Sequence, residues 1–421
     1  FDNYYSDLNN NNVMVSPCIQ GAVPWLNAGN NFPGDDKPVD SAGKSTTDPH
    51  SYHIKSHHMY QYAARYGSTA VNVNLLTLAS NQSKTSGSGL IKYIEDYNEQ
   101  DKDWMSSNAQ FSPEEYAAMS SANYDGHGKT MTGGKGTFGI KNADPSMKFV
   151  MGGLASYGTE YIRRMKVWYE ANRSDRKFVP DVINFHMYAM GPTSQPTSGG
   201  PGISPEAAQF REKAAAITAY RDANLPATTE VWFSEFGWDT FPGSPLASPA
   251  IGGEDTFETQ GRWLVRAYMA FAAAGVDRVQ MYMLRDVDPN STTWFGSSGL
   301  IAQKGDFTPK KSWYYVYTMK NVLTGMRYDG EQASGNPNIL IYKFKDLNSD
   351  KGVYVAWFKT SNNSSASNVS LSIPASNTSA SQVSLSNGST TGTTQSLVVQ
   401  SNAVKINVSE KPIFIKVDHI K

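Results

Sequence analysis

The stretch Glu230-Val-Trp-Phe-Ser-Glu235 is a short apolar run that ends in a carboxylate, and it decides how the rest of the chain is interpreted. Val, Trp and Phe favour extended backbone, so the run predicts a buried strand. Five similar runs lie elsewhere in the chain. The predicted strands are residues 13–19, 91–97, 148–152, 182–188, 230–235 and 279–284.

Helical patterns separate these strands. The predicted helices include residues 159–172, 205–223, 256–274 and 312–323. Ser204 is a good N-cap with Pro205 at the first helical position, and Gly275 is a natural C-cap. Alternation of strand and helix indicates a parallel sheet with helical crossovers.

Polar and aromatic residues follow the predicted strands, which is typical of the active-site rim of a TIM (β/α)8 barrel. The pattern has six strands rather than eight, and an open six-stranded sheet would leave two bare edges. We therefore expect an α/β fold, a (β/α)8 barrel over residues 1–326, whose first two βα units are absent from this chain.

The sequence pattern changes after Met326. Residues 327–421 contain short alternating runs separated by turns rich in Ser, Thr, Asn and Gly. This pattern predicts a small antiparallel β-sandwich as a second domain.

Composition excludes several classes of protein. The formal net charge is −1 and 18% of residues are charged, so no nucleic acid and no anionic membrane is expected as a partner. Apolar runs are too short to predict membrane insertion. Cys18 is the single cysteine and is expected to be a buried core thiol. Abundant aromatic residues, Asn and Ser favour a secreted, cell-surface or periplasmic protein.

Two glutamates end predicted strands, Glu99 after residues 91–97 and Glu235 at the end of residues 230–235. Opposed strand ends of a barrel can bring two carboxyl groups to the roughly 5–5.5 Å that a retaining double displacement needs. The alternatives are a surface pair of Glu99 with Lys102 and a structural pair of Glu235 with Arg285. In the catalytic interpretation, Arg285 would instead keep Glu235 ionised.

Three motifs in order resemble clan A of the glycoside hydrolases: Asn98-Glu99, His186-Met-Tyr188 and Ser234-Glu-Phe-Gly-Trp-Asp239. The resemblance covers residues 13–421, and the trailing sandwich is similar to those of families 39 and 30. It implies that Glu99 is the acid/base after barrel strand four and Glu235 the nucleophile after strand seven. Gln100 departs from the pattern, since many members have Pro there.

The resemblance also implies a role for Asn98 in gripping the sugar 2-OH. His186 is expected to bind substrate, although a hydrogen-bonded structural histidine is an alternative. Tyr188 lies on the same face of the strand and is expected to donate to Glu235 or to substrate. The aromatic residues that could form sugar-stacking subsites are Trp25, Trp104, Trp238 and Trp294. Core packing is an equally good interpretation of each.

The expected activity is retaining hydrolysis of a polysaccharide or oligosaccharide, with no cofactor and no metal. The histidines at 50, 53, 57 and 58 fit surface or loop positions better than a zinc site, because no matching acid accompanies them. A catalytically inactive carbohydrate-binding protein and a structural surface protein are the alternatives. The sequence leaves open the sugar, endo or exo action, and the oligomeric state.

Overall fold

A computed structural model describes residues 1–21, 36–40, 44–191 and 201–420. The chain forms two compact units: residues 1–186 with 219–233, and residues 187–218 with 234–421. Within the described ranges, no helix combines the length and apolarity that crossing a membrane requires.

Over its described residues, the first unit contains five complete helices and four complete strands, in mostly alternating order. They are α1 (Asp2–Asn10), β1 (Cys18–Ile19), α2 (His53–Tyr66), β2 (Tyr93–Asp96), α3 (Pro113–Lys129), α4 (Ile140–Ala143), β3 (Lys148–Met151), α5 (Glu160–Asn172) and β4 (Val182–His186). Every residue of β2 and β4 is buried, as expected for parallel strands covered on both faces. Helix α3 begins with a capping box, in which Ser112 and Glu115 each bond the other's backbone N–H.

Helix α6 (Phe210–Asn224) and strand β5 (Glu230–Glu235) are divided between the units. The second unit continues with α7 (Thr256–Ala273), β6 (Arg278–Val279) and α8 (Lys311–Leu323). Its remaining strands are β7 (Met326–Glu331), β8 (Ile339–Asp346), β9 (Gly352–Phe358), β10 (Ser365–Ser372), β11 (Ala380–Ser384), β12 (Thr393–Leu397), β13 (Ala403–Ser409) and β14 (Ile413–Val417).

The six predicted strands of the α/β region are present as one sheet in the order β1 to β6. The pairs β1–β2, β2–β3 and β3–β4 are parallel. Over the ranges that the structure describes, the sheet does not close into a ring. Closure into an eight-stranded barrel by two further units therefore stays a prediction, as does a domain boundary between residues 326 and 327.

Strand β5 has the predicted bounds, whereas β1 and β6 are only two residues long. Both short strands therefore make fewer ladder hydrogen bonds than the sequence pattern suggested. The prediction for Cys18 was wrong, because its side chain is exposed and its Sγ donates to the carbonyl oxygen of Tyr97 at 3.2 Å.

The predicted antiparallel sandwich is present after Met326. Six strands form one sheet in the order β12-β11-β14-β9-β8-β7, and β10 pairs with β13. Ile341 and Ile415 of this sheet share one hydrophobic core with Leu371 of the β10–β13 pair. The opposite face, including Tyr342 and Phe414, packs on α7 and α8.

A buried ion pair joins α7 to this sheet. Arg266 on α7 has no exposed side-chain surface and donates from Nε to Glu206 at 2.9 Å, and from Nη2 to its second oxygen. Glu206 also accepts from Trp357 Nε1 at 2.7 Å, and Arg266 Nη1 donates to the carbonyl oxygen of Thr360 at 3.0 Å. One arginine therefore satisfies acceptors from two parts of the second unit.

Replacement of Arg266 should lower the stability of the protein, because it removes one partner of a buried ion pair and leaves the other. We expect Arg266→Met to lower the free energy of unfolding by about 3 kcal/mol, because Glu206 would keep its charge without its cation. The matched control is Lys311→Met, which removes a more exposed partner of Asp255 and should cost less than about 1 kcal/mol. Urea unfolding measures both, and equal small losses would contradict the assignment.

Candidate active site

The first carboxylate, Glu99, lies on a tight turn three residues beyond β2. Tyr97 and Glu99 both adopt left-handed backbone, with φ of 82° and 47°. Such conformations are strained for residues other than glycine and persist where the surroundings fix them. Here Glu99 N donates to the carbonyl oxygen of Gly153 at 2.9 Å. The buried side chain of Gln100 donates from Nε2 to the carbonyl oxygen of Gly152 at 2.8 Å.

His186, the last residue of β4, contacts this carboxylate. Its Nδ1 lies 2.9 Å from Glu99 Oε1, and the histidine side chain is 1% exposed while that of Glu99 is 24% exposed. A Cβ at Gly153 would lie 2.1 Å from His186 Nε2, so only glycine leaves room for the ring. The histidine predicted from the His186-Met-Tyr188 motif is thus a direct partner of Glu99.

Glu95, in β2, lies four residues before Glu99, and its side chain is buried. The structure gives it two amide donors, Gly153 N at 3.0 Å and Asn184 Nδ2 at 2.9 Å, both to Oε1. Glu95 therefore links the ends of β2, β3 and β4.

Asp96 at the end of β2 is a second buried carboxylate of this strand. Burial raises its pKa to about 6, against the opposing effects of Lys55 and of a hydrogen bond from Asn123 Nδ2 at 2.9 Å. Its backbone oxygen accepts from Tyr116 OH at 2.7 Å, and that hydroxyl accepts from Gly152 N at 2.9 Å.

The second carboxylate, Glu235, is the last residue of β5 and is half-buried. Tyr188 OH donates to its Oε2 at 2.8 Å, and Met187 N donates to its backbone oxygen at 2.9 Å. The Tyr188 ring packs on Phe295, with centroids 4.7 Å apart. The predicted contact between Tyr188 and Glu235 is therefore present.

Arg285 does not form the ion pair with Glu235 that the sequence predicted. Its Nη1 donates to the backbone oxygen of Asp286 at 3.1 Å. The buried ion pair in this segment joins Asp286 to Lys310 at 3.0 Å instead. Burial raises the pKa of Asp286 and lowers that of Lys310, while each opposes the shift of the other. A substrate-binding role for Arg285 stays a prediction.

Asp239 closes the third sequence motif and organises the loop that carries Phe295. Its carboxylate accepts from Ser244 Oγ at 2.5 Å, Phe295 N at 3.0 Å and Ser297 N at 2.9 Å. Phe295 is held in left-handed backbone, with φ of 66°. Asp239 therefore fixes the aromatic ring against which Tyr188 packs. The motif contains Asp239, but only the folded chain reveals this role.

The predicted stacking residues differ in exposure. The prediction that Trp238 stacks on sugar was wrong, because this side chain is 0% exposed. Its ring packs on Phe210 and Trp263, and its Nε1 donates to the carbonyl oxygen of Ile203. Trp104 is 59% exposed and Trp294 is 39% exposed. Sugar stacking by these two residues stays a prediction. Trp25 lies outside the described residues. Asn98, half-buried beside Glu99, also remains a prediction.

The histidines near α2 bond to oxygen acceptors of the protein. His53 Nδ1 lies 3.2 Å from an Asp40 oxygen, and His57 lies 2.7 Å from Thr137 Oγ1 and 3.0 Å from Thr77 Oγ1. These contacts occupy both nitrogens of His57.

Comparison with known proteins identifies the class of fold. No protein-family model matches the chain, and no curated protein matches it in sequence. Solved structures with a similar fold are clan A glycoside hydrolases. This confirms the resemblance stated from the three motifs.

Three of these structures share the fold over almost the whole chain. A family 39 glycoside hydrolase from Bacteroides cellulosilyticus WH2 has 14% identity and a TM-score of 0.62, over 98% of this chain and 70% of that one. The family 51 α-L-arabinofuranosidase of Thermotoga petrophila RKU-1 has 10% identity and a TM-score of 0.57, over 99% and 78%. CelM2, a bifunctional glucanase-xylanase from a metagenome library, has 11% identity and a TM-score of 0.54, over 95% and 76%.

Asp96 gives a testable pH dependence. Because its pKa is raised to about 6 from 3.8, folding is disfavoured once the unfolded chain ionises this group and the folded chain does not. We expect wild type to lose about 3 kcal/mol of unfolding free energy relative to Asp96→Asn between pH 3 and pH 7, about 2 kcal/mol of it between pH 4 and pH 6.

Asp175 is the control of opposite sign. A hydrogen bond from Arg173 lowers the pKa of Asp175 to about 2, so its contribution is present above pH 4 and is lost as pH falls towards 2. Urea unfolding of wild type, Asp96→Asn and Asp175→Asn across pH 2 to 7 measures both windows. A pH-independent difference between wild type and Asp96→Asn would contradict the account of Asp96.

Proposed function

We propose that this protein is a retaining glycoside hydrolase in which Glu235 is the nucleophile and Glu99 the acid/base. One observation carries the proposal: the end of β4 supplies a hydrogen-bonding partner to each glutamate. His186 bonds Glu99 at 2.9 Å and Tyr188 bonds Glu235 at 2.8 Å, two residues apart in the chain. The clan A fold adds support.

In the first step, Glu235 attacks the anomeric carbon and forms a glycosyl-enzyme ester while the glycosidic C–O bond breaks. The nucleophile must be ionised and correctly oriented. The Tyr188 hydroxyl serves both needs, because a donor to a carboxylate favours its charged form and fixes its rotation.

Glu99 protonates the departing oxygen in the same step. In the second step, it takes a proton from water, whose oxygen attacks the anomeric carbon and releases Glu235. The contact with His186 suits both stages, since a neutral imidazole Nδ1 can accept from a carboxylic acid or, in its other tautomer, donate to a carboxylate.

The proposed substrate is a polysaccharide or oligosaccharide, and the proposed setting is outside the cytoplasm, where such polymers are met. The reaction as drawn uses only protein carboxyls and water, so no cofactor is required in it. Cleavage of a polymer screened from neutral plant and algal glycans would identify the sugar.

The two glutamates should fail in different ways. We expect Glu235→Gln to lower kcat by at least about 10³-fold on every substrate, because no ester can form. Glu99→Gln should lower it similarly on natural glycans but much less for the first step of a 4-nitrophenyl glycoside, whose leaving group needs no proton. Product stereochemistry by NMR tests retention directly.

Glu254→Gln, a change at a partly exposed glutamate of the second unit, is the control and should keep wild-type activity. Wild-type activity in either active-site variant would reject the assignment of that residue. A folded wild-type protein that binds glycans but cleaves none would instead establish the carbohydrate-binding alternative.

Tyr188 should matter as a positioning residue. We expect Tyr188→Phe to lower kcat about 10- to 100-fold, because a hydrogen bond to a charged group contributes about 1.5–3 kcal/mol. KM should change little if the loss lies in nucleophile orientation. Tyr317→Phe on α8, where the side chain is partly exposed, is the matched control. A purely structural role would instead lower the unfolding free energy without a selective loss of kcat.

A further inference from the structure

A deep groove lies beside the turn that carries Glu99. Its volume is about 840 Å³, in the range of sites that enclose small ligands. It is bounded by residues 101–115 and by the first turn of α5. The residues that matter here are Asp101, Asp103, Trp104, Phe111, Tyr161 and Arg164.

The groove and Glu99 belong to one fixed loop. Asp101, two residues beyond Glu99, accepts hydrogen bonds from Ala155 N and Ser156 N at 2.9 Å each. Glu99 N donates to Gly153 O, in the same segment after β3. The groove wall therefore keeps a constant position relative to Glu99.

Trp104 offers the groove an uncommitted aromatic face. It is 59% exposed and lines the cavity, and it makes no ring stacking with another described aromatic residue. Phe111 and Tyr161 line the same groove; Phe111 is buried, and its carbonyl oxygen accepts from Tyr161 OH at 3.2 Å. An exposed indole in such a groove suits stacking against the apolar face of a sugar ring.

The charges of the groove favour a neutral ligand. Its two lining cations already have carboxylate partners, Lys37 with Glu115 at 2.8 Å and Arg164 with Glu114 at 2.8 Å and 2.6 Å. Four carboxylates line the same groove, at positions 101, 103, 115 and 160. A uronic acid or a sulfated sugar would meet more negative than positive charge there.

We propose that this groove binds the leaving-group side of the substrate, as a subsite for one or more neutral sugar units stacked on Trp104. The inference rests on the proposed function, because an acid that protonates the departing oxygen must lie next to the leaving group. It goes further in naming the side of the cleaved bond, the platform and the charge class of the sugar.

The test compares two leaving groups in one glycon series. Substrates are the neutral polysaccharide that wild type cleaves and the 4-nitrophenyl glycoside of its glycon sugar. We expect Trp104→Ala to lower kcat/KM on the polymer about tenfold more than on the aryl glycoside, which has no sugar in the groove. Met105→Ala, a change at an exposed neighbour that does not line the groove, is the control. Equal losses on both substrates, or no loss on either, would overturn the proposal.

Charge is tested with the same variants. Wild type should cleave a glucuronate-bearing form of the polymer with a lower kcat/KM than the neutral form. Trp104→Ala should narrow this difference in kcat/KM between the two polymers. Preference for the acidic form would overturn the neutral class.

Failure of the proposed function is separable from failure of the subsite. If wild type cleaves no glycan, titration of the folded protein with neutral oligosaccharides by NMR reports binding at the groove directly. Loss of that binding in Trp104→Ala but not in Met105→Ala would support the subsite, and identical binding in both, or none in wild type, would reject it.

Discussion

The close approach of His186 to the backbone of Gly153 is the constraint on which the Glu99 half of the site depends. A Cβ at that position would lie 2.1 Å from the imidazole, so the ring reaches Glu99 only because residue 153 has none. The carbonyl oxygen of Gly153 accepts from Glu99 N, and its N–H donates to Glu95. One glycine therefore sets the position of the imidazole, the turn and the buried carboxylate together.

The Glu235 half of the proposed site depends on Asp239, a carboxylate to which the proposed mechanism assigns no step. Asp239 binds two backbone N–H groups of the loop at 295–297 and the Ser244 hydroxyl, and the loop then places Phe295 against Tyr188. The tyrosine is thus restricted in rotation before it donates to Glu235. Preorganisation of this kind lowers the entropy cost of orienting a nucleophile.

Sequence reasoning found what periodicity and motif order can reveal. The strand ending in Glu235 was predicted with its observed bounds, because its apolar run is bordered by polar residues on both sides. Sequence reasoning could not distinguish the buried Trp238 from the exposed Trp104, because both residues follow strands and an indole ring suits a core as well as a cleft. Sequence reasoning also paired Arg285 with Glu235, because both lie at the ends of successive predicted strands, and that placement does not tell which acceptor a guanidinium meets.

Gln100 shows why a departure from the clan pattern need not disturb the site. Proline would stiffen the turn after Glu99 by fixing one backbone angle. Gln100 instead donates from its buried amide to Gly152 O, and its own carbonyl oxygen accepts from Phe111 N at 2.7 Å. Two hydrogen bonds from one residue restrain the turn on both sides. The same bonds connect Glu99 to Phe111, which lines the groove, so Gln100 couples the turn of the proposed acid/base to the region where we place the leaving group.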